Sequence, residues 1–221
     1  WSLSIYINQR HFALALTLAC VLFLLVVGSE VSRRPLSAKA IFLALIILGI
    51  FPLLHTPVYV MSVSTLIFLA LLLSRQRKRL FLLLLLSGIF TFPQFFFLRG
   101  QQSPYPQFNP GYLLGPNLTL DKFFNYWFLN LGLSLFLIPI GVTLAPNLAK
   151  KFFLAILPLF LLPNLFQFSP EMAANHKFFN LFLIIGNLFI AYFLVRLWQR
   201  GIWGKILFPL FLFLLIFSGL I

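Results

Sequence analysis

The sequence lacks most of the residues on which soluble enzymes rely. Only three of its 221 residues are acidic, and a single cysteine, Cys20, lies inside an apolar run. A lone cysteine cannot form an internal disulfide, and no Cys/His spacing typical of a metal site occurs, so cysteine chemistry is excluded. There is also no phosphate-binding loop, dinucleotide fingerprint or nucleophile elbow. The sequence therefore gives no support for soluble-nucleotide chemistry.

Charge of either sign is scarce. Charged residues make up 9% of the chain and hydrophobic residues 62%, whereas a soluble domain has roughly 25% and about 45–50%. The formal net charge of +13 would suggest nucleic acid in a soluble protein. Here Lys and Arg lie in short loops between apolar runs, where they orient membrane helices. We expect an integral membrane protein whose partner is the lipid bilayer, with no nucleic acid.

Apolar runs long enough to cross a bilayer recur along the chain. An open strand edge cannot persist in hydrocarbon, so we expect every run to be helical. The predicted fold is an all-α transmembrane bundle of about eight spans, some of them short or broken at the outer face. The predicted spans are 11–28, 40–54, 57–73, 80–97, 123–145, 152–166, 178–197 and 206–221.

Positive charge alternates between the predicted loops. With eight spans, twelve of the 16 Lys and Arg residues fall on one side and four on the other. The positive-inside rule places the basic loops in the cytoplasm and the opposite loops outside the cell membrane. Merging 40–73 into one span would move the basic cluster at 75–79 outside, so two spans are favoured. One span with a re-entrant segment is the alternative.

The domain organisation follows from the same pattern. We expect residues 1–221 to form a single transmembrane domain. Residues 98–122 are predicted to be the longest extracytoplasmic loop, and 167–177 a second outer loop. The chain begins at Trp1 without an initiator Met and ends in an apolar run. We therefore expect it to be a fragment of a longer protein.

All three histidines and two of the three acids lie on the predicted outer side. The exception is Glu30, which we expect to pair with Arg33 and Arg34 at the cytoplasmic end of the first span. Asp121 is either the N-cap of the fifth span, or a general base or cation ligand. Glu171 either begins the seventh helix or serves as a carboxylate beside His176. The outer residues are His11, His55, His176, Asp121 and Glu171.

The start of the seventh span carries the densest polar pattern. His176, Asn180 and Asn187 lie within about 40° of one another in helical projection, which predicts a polar stripe. Such amides bind a neighbouring helix or line a substrate cavity. His176 and Lys177 could hold a phosphate at the helix start, although Lys177 could instead extend to the lipid headgroups. A divalent metal is chemically allowed on this side, but the spacing is not diagnostic, so no cofactor is predicted.

Four short motifs are spread over nearly the whole chain. They read Asn-Gln-Arg-His at 8–11, Pro-Leu-Leu-His at 52–55, Trp-Phe-Leu-Asn-Leu-Gly at 127–132, and Phe-Ser-Pro at 168–170 followed by Asn-His-Lys-Phe at 175–178. In these motifs the chain resembles bacterial multi-pass membrane proteins related to the GT-C-type glycosyltransferases. Many relatives have Asp where this chain has Ala174, which leaves Glu171 as the only acid of the last segment.

The resemblance implies a glycosyltransferase that takes a sugar from a polyprenyl-phosphate donor at the extracytoplasmic face. It implies that this chain binds the polyprenyl-phosphate-linked sugar, whereas the principal catalytic carboxylate lies in an early outer loop of the complete protein. Within the chain, the weak catalytic candidates are Glu171 and Asp121. The alternatives are a polytopic transporter or lipid flippase, and a non-catalytic membrane scaffold. The candidate substrate-binding residues are Arg10, His11, His55, Asn175, His176, Lys177 and Asn180.

Overall fold

A computed structural model describes the backbone of residues 10–98, 105–115 and 118–217, and the side chains of 11–97, 105–115 and 118–216. The helices are α1 (Arg10–Val31), α2 (Ala38–Leu72), α3 (Arg77–Leu98), α4 (Leu120–Leu131), α5 (Ser134–Leu144), α6 (Asn147–Ile156), α7 (Pro158–Leu165), α8 (His176–Trp198) and α9 (Ile202–Phe217). Two short strands, β1 (Gln107–Phe108) and β2 (Phe166–Gln167), and two 3-10 turns, Tyr112–Leu114 and Met172–Asn175, lie between them.

The prediction of an all-α membrane bundle is confirmed. Five helical stretches of the described chain are long and apolar enough to cross a bilayer, and α4 with α5 make a sixth if that bent pair counts as one span. Counted by length, the spans are fewer than the predicted eight because α2 is assigned as one stretch of 35 residues and α9 has only 16. Large side chains such as Phe42 and Phe96 are 67% and 80% exposed, as expected for surfaces that face lipid.

Helix α2 folds back on itself at His55. This residue has non-helical backbone angles, φ −166° and ψ 92°. Just before α2, the N–H of Leu36 donates to Oε1 of Gln76 at 3.0 Å, just beyond the other end of the helix. A straight helix of 35 residues would separate its ends by about 52 Å. The predicted division into 40–54 and 57–73 is therefore confirmed as a helical hairpin.

Pro57 weakens α2 next to the break at His55. Pro57 has no N–H to donate to the carbonyl four residues earlier, and its ring disfavours helical backbone at the residue before it. The hydroxyl of Thr56 donates to the carbonyl of Pro52 at 3.1 Å and so satisfies one of the exposed acceptors. The two arms of α2 are therefore joined by a turn without an intervening loop.

The bundle has two ends, which we name by their residues. The histidine end contains His11, His55 and Lys177, which are close enough to interact. The basic end contains Arg75 and Lys151, which line one cavity together. Helix α1 connects the two ends, and its 22 residues rise about 33 Å, close to the roughly 30 Å thickness of bilayer hydrocarbon.

The predicted span 123–145 is strongly bent. Helices α4 and α5 meet at 84°, because Gly132 adopts φ 51° and ψ −129°, a conformation that is strained for other residues. Beyond the bend, α5 packs closely on α8. A Cβ added to Gly141 would lie 2.2 Å from the carbonyl oxygen of Phe189. The missing side chain at 141 is thus what allows the two backbones to touch.

Candidate functional site

His55 lies at the centre of the histidine end. Its ring centroid is 5.5 Å from that of His11 and 4.8 Å from that of Phe12. Lys177, at the start of α8, is close enough that its charge acts on His55. The reversal of α2 therefore brings together three of the predicted substrate-binding residues, which come from three different helices.

Buried polar atoms of His55 and Asn180 lack a hydrogen-bond partner among the described residues. They are Nδ1 of His55, which is 6% exposed, and Nδ2 of Asn180, which is 3% exposed. Buried polar groups are nearly always hydrogen-bonded, to protein or to another molecule. These two atoms therefore mark positions where a bound polar group would be favourable.

His176 is oriented by the 3-10 turn that precedes it. Its Nδ1 lies 2.6 Å from the carbonyl of Ala173, and since a carbonyl only accepts, Nδ1 carries the proton. The hydroxyl of Tyr112 donates to the same carbonyl at 3.1 Å. Burial and the neighbouring Tyr126 raise the pKa of Tyr112 above its usual range. Tyr112 thus remains a protonated donor at physiological pH and fixes the turn that holds His176.

Asn175, a predicted substrate contact, is engaged by the backbone instead. It is 1% exposed, and its Nδ2 donates to the carbonyls of Pro163 and Phe166 at 2.9 and 2.7 Å. Its Oδ1 accepts from the N–H of Phe168 at 3.3 Å. The last carbonyls of a helix have no hydrogen-bond donors within the helix. At the end of α7, Asn175 is such a donor. No donor of this side chain remains for a substrate.

Both candidate catalytic acids are exposed. Asp121 lies in the first turn of α4, but Thr119 is the N-cap, since its hydroxyl accepts from the N–H of Lys122 at 3.3 Å. The prediction of an N-cap role for Asp121 is therefore wrong. Glu171 precedes the second 3-10 turn, and its charge acts on Lys177. Of the two acids, Glu171 is the one that interacts with the histidine end.

The remaining predicted residues lie at the margins of this site. Arg10 begins α1, but its side chain lies outside the described residues. The predicted polar stripe of α8 stops at Asn180, because Asn187 is exposed. The two asparagines share a helix face, but only the end near Asn180 is covered by other segments of the chain. The stripe is therefore short and confined to the histidine end.

The sequence did not reveal that the two outer loops pair with each other. β1 is antiparallel to β2, with Gln107 opposite Gln167 and Phe108 opposite Phe166. The pairing continues where the N–H of Asn109 donates to the carbonyl of Leu165 at 2.9 Å. Strands of two residues are too short for periodicity to detect. The predicted loops 98–122 and 167–177 therefore form one structure in their described parts.

The role of Asn164 was also not predicted from the sequence. It is 5% exposed and lies within an apolar run of α7. Its Oδ1 accepts from the indole N–H of Trp127 at 3.1 Å, and its Nδ2 donates to the carbonyl of Phe160 at 2.8 Å. A lone amide in an apolar run is itself the signal, because in a membrane it requires a partner. This bond anchors α4 beside the histidine end.

Neither a metal centre nor a similar known protein identifies the function of this site. Among the described residues, no group of three or more His, Cys, Asp or Glu side chains is placed to hold a metal ion. No protein-family model matches the chain, and no curated protein or solved structure matches it either. The function must therefore be argued from the geometry of the two ends of the bundle.

Proposed function

We propose that the chain is the donor-binding part of a membrane-embedded, GT-C-like glycosyltransferase that uses a polyprenyl-phosphate-linked sugar. The observation that carries the proposal is the convergence of His11, His55 and Lys177 at one end of the bundle. The buried Nδ1 of His55, which has no partner in the described chain, lies within this cluster. The resemblance in the sequence motifs suggests the reaction class, and the side chains of the cluster suggest that the ligand is an anion.

The cluster is suited to an anion. Lysine presents three donors around a positive charge, and imidazole gains a second donor when it is protonated. The start of α8 adds the positive end of the helix dipole, and Asn175 gives it no side-chain cap. A lipid phosphate placed here would also be within reach of the buried amide of Asn180.

The proposed reaction assigns these residues to the leaving group. The acceptor hydroxyl attacks the anomeric carbon, the bond from that carbon to the phosphate oxygen breaks, and polyprenyl phosphate leaves. A carboxylate takes the proton of the hydroxyl. Lys177 and the imidazoles stabilise the charge that the departing phosphate gains. Glu171 and Asp121 are the carboxylates that the described chain offers on this side.

The proposal includes the orientation of the bundle in the membrane. Loops at the basic end carry most of the Lys and Arg, and the positive-inside rule assigns that end to the cytoplasm. The histidine end then faces the extracytoplasmic side of the cell membrane. A donor delivered in the outer leaflet would present its phosphate at the level of His55 and Lys177.

The test is binding of radiolabelled polyprenyl phosphate to the purified protein in detergent. We expect the double variant His176→Ala/Lys177→Ala to bind at least about tenfold more weakly, since a charge-assisted hydrogen bond is lost. The matched control is Lys122→Ala, an exposed lysine in the first turn of α4, which should bind like wild type. Equal affinity of the double variant and wild type would contradict the proposal. Release of free polyprenyl phosphate from a lipid-linked sugar would then test transfer itself.

A transporter or lipid flippase is the second candidate. Two observations favour it: α2 is broken at His55, and α4 and α5 meet at 84°. Broken helices line the substrate sites of many transporters. Movement of the lipid across proteoliposomes without release of polyprenyl phosphate would single out this function over the glycosyltransferase.

A further inference from the structure

A polar cavity lies at the basic end, far from the cluster around His55. Its volume is about 300 Å³, and it opens between the end of α1, the link from α2 to α3 and the start of α6. The charged and polar side chains that line it are Glu30, Arg33, Arg75, Asn147 and Lys151. Glu30 is already paired with Arg75 at 3.1 Å. Two of the three cations therefore remain to neutralise a bound anion.

An apolar groove of about 520 Å³ continues from this cavity. The two share Val31 and Leu148, and the groove is lined by side chains of α1, α6 and α8 such as Phe23, Phe152 and Ile185. It extends along α1 from Val31 to Cys20, a rise of about 16 Å. A basic cavity that continues into a long apolar groove has the polarity pattern of an amphiphile with an anionic head and a hydrocarbon chain.

The backbone at Arg33 gives independent support. The N–H of Arg34 donates to the carbonyl of Ser29, and the N–H of Arg33 to the carbonyl of Glu30, both at 3.0 Å. This is the Schellman ending of a helix, in which the residue at position 33 must be left-handed, and its φ is 54°. Glycine is preferred at that position, since other residues are strained there. Strain of this kind concentrates at functional sites.

The N-terminus of α6 also faces this region. Asn147 begins the helix, and Pro146, which precedes it, provides no side-chain cap. The first backbone N–H groups of a helix have no acceptor within it, and they favour an anion. A phosphate in the cavity would thus meet both fixed cations and the positive end of a helix dipole.

We propose that the cavity and groove together bind an anionic phospholipid. Its phosphate lies among Arg33, Arg75 and Lys151, and one acyl chain lies in the groove along α1. A free phosphate would leave the groove unfilled, and a zwitterionic lipid would bring its own cation into a cavity that is already basic. This site lies at the opposite end of α1 from His11 and does not depend on the function proposed above.

The test is equilibrium binding of fluorescent phosphatidylglycerol and fluorescent phosphatidylcholine to the purified protein in detergent. We expect the anionic probe to bind at least about tenfold more tightly. The variants Arg33→Gly and Lys151→Gln should each weaken its binding by about tenfold, because each loses one charge-assisted hydrogen bond. The matched controls are Lys150→Gln and Arg34→Gln, neighbouring cations outside the cavity lining, which should bind like wild type.

Arg33→Gly separates binding from folding. Glycine relieves the left-handed strain, so the thermal midpoint of this variant without lipid should equal or exceed that of wild type. Weaker binding by a more stable protein cannot be a consequence of unfolding. The proposal would be overturned if Arg33→Gly and Lys151→Gln bound the anionic probe like wild type. Equal competition by glycerol phosphate and by the lipid would overturn the role of the groove.

Discussion

Gln76 donates a hydrogen bond from its side-chain amide to the carboxylate of Glu30 across 3.1 Å, although 46 residues separate them. The same amide donates to the carbonyl of Arg34 at 2.8 Å, and its oxygen accepts from the N–H of Leu36 at 3.0 Å. Gln76 is completely buried. One side chain therefore joins the end of α1, the link to α2 and the start of α3.

The first prediction concerns this residue. Gln76→Leu keeps the volume and apolar stem but leaves the buried N–H of Leu36 without its acceptor. We expect the free energy of unfolding to fall by about 1–3 kcal/mol, measured by chemical unfolding in mixed micelles. The control is Gln199→Leu, at an exposed position after α8, which should change it by less than about 0.5 kcal/mol. Equal effects of the two substitutions would show that the buried bonds contribute nothing.

The partner of Glu30 shows what local sequence could not predict. The sequence predicts a pair with Arg33 or Arg34, which are its neighbours, and this is wrong. Glu30 pairs with Arg75 at 3.1 Å, the only salt bridge in the described part of the chain. Arg75 is distant in sequence, and only the reversal of α2 at His55 brings it back to the end of α1. The division of α2 was predicted, but the pairing of two residues 45 positions apart that it causes was not.

The second prediction tests the reversal of α2. With Cys20 replaced by Ser, single cysteines at Ser32 and Ser74, both exposed, should be labelled by a membrane-impermeant thiol reagent from the same side. The ends of a hairpin lie together, whereas the ends of a single span lie on opposite sides. A cysteine at Glu171 should be labelled from the other side. Labelling of Ser32→Cys and Ser74→Cys from opposite sides would refute the hairpin.

The third prediction concerns the contact between α5 and α8. In Gly141→Ala the new Cβ would lie 2.2 Å from the carbonyl oxygen of Phe189, so the two backbones must separate. We expect destabilisation of at least about 1–3 kcal/mol and loss of monodisperse protein after detergent extraction.

Two other glycines provide matched controls for this contact. A Cβ at Gly186 would lie 2.9 Å from the tip of Ile138, a flexible side chain, so Gly186→Ala should be milder. A Cβ at Gly88 meets nothing within 4 Å, and Gly88→Ala should behave like wild type. If all three variants had the same thermal midpoint, the close approach of the two helices would be disproved.

The sequence predicted the membrane class from apolar length, and the division of α2 into 40–54 and 57–73 from the alternation of charge between loops. It also predicted that His11, His55 and Lys177 lie on one side of the membrane, since the alternation of positive charge assigns successive loops to opposite sides. It could not predict the roles of Asn175 and Asn164. Their partners, Phe166 and Trp127 among them, are set by how distant segments pack. An amide looks the same in sequence whether it faces a substrate or a carbonyl.

The pairing of Glu30 with residues 75 and 76 also has a consequence during synthesis. A ribosome adds roughly 5–20 residues per second, so about 2–9 seconds pass between the appearance of Glu30 and that of Gln76. During this interval the carboxylate at the end of α1 has neither partner. The contacts that tie the end of α1 to residues 75 and 76 can therefore form only after the whole α2 hairpin has been synthesised.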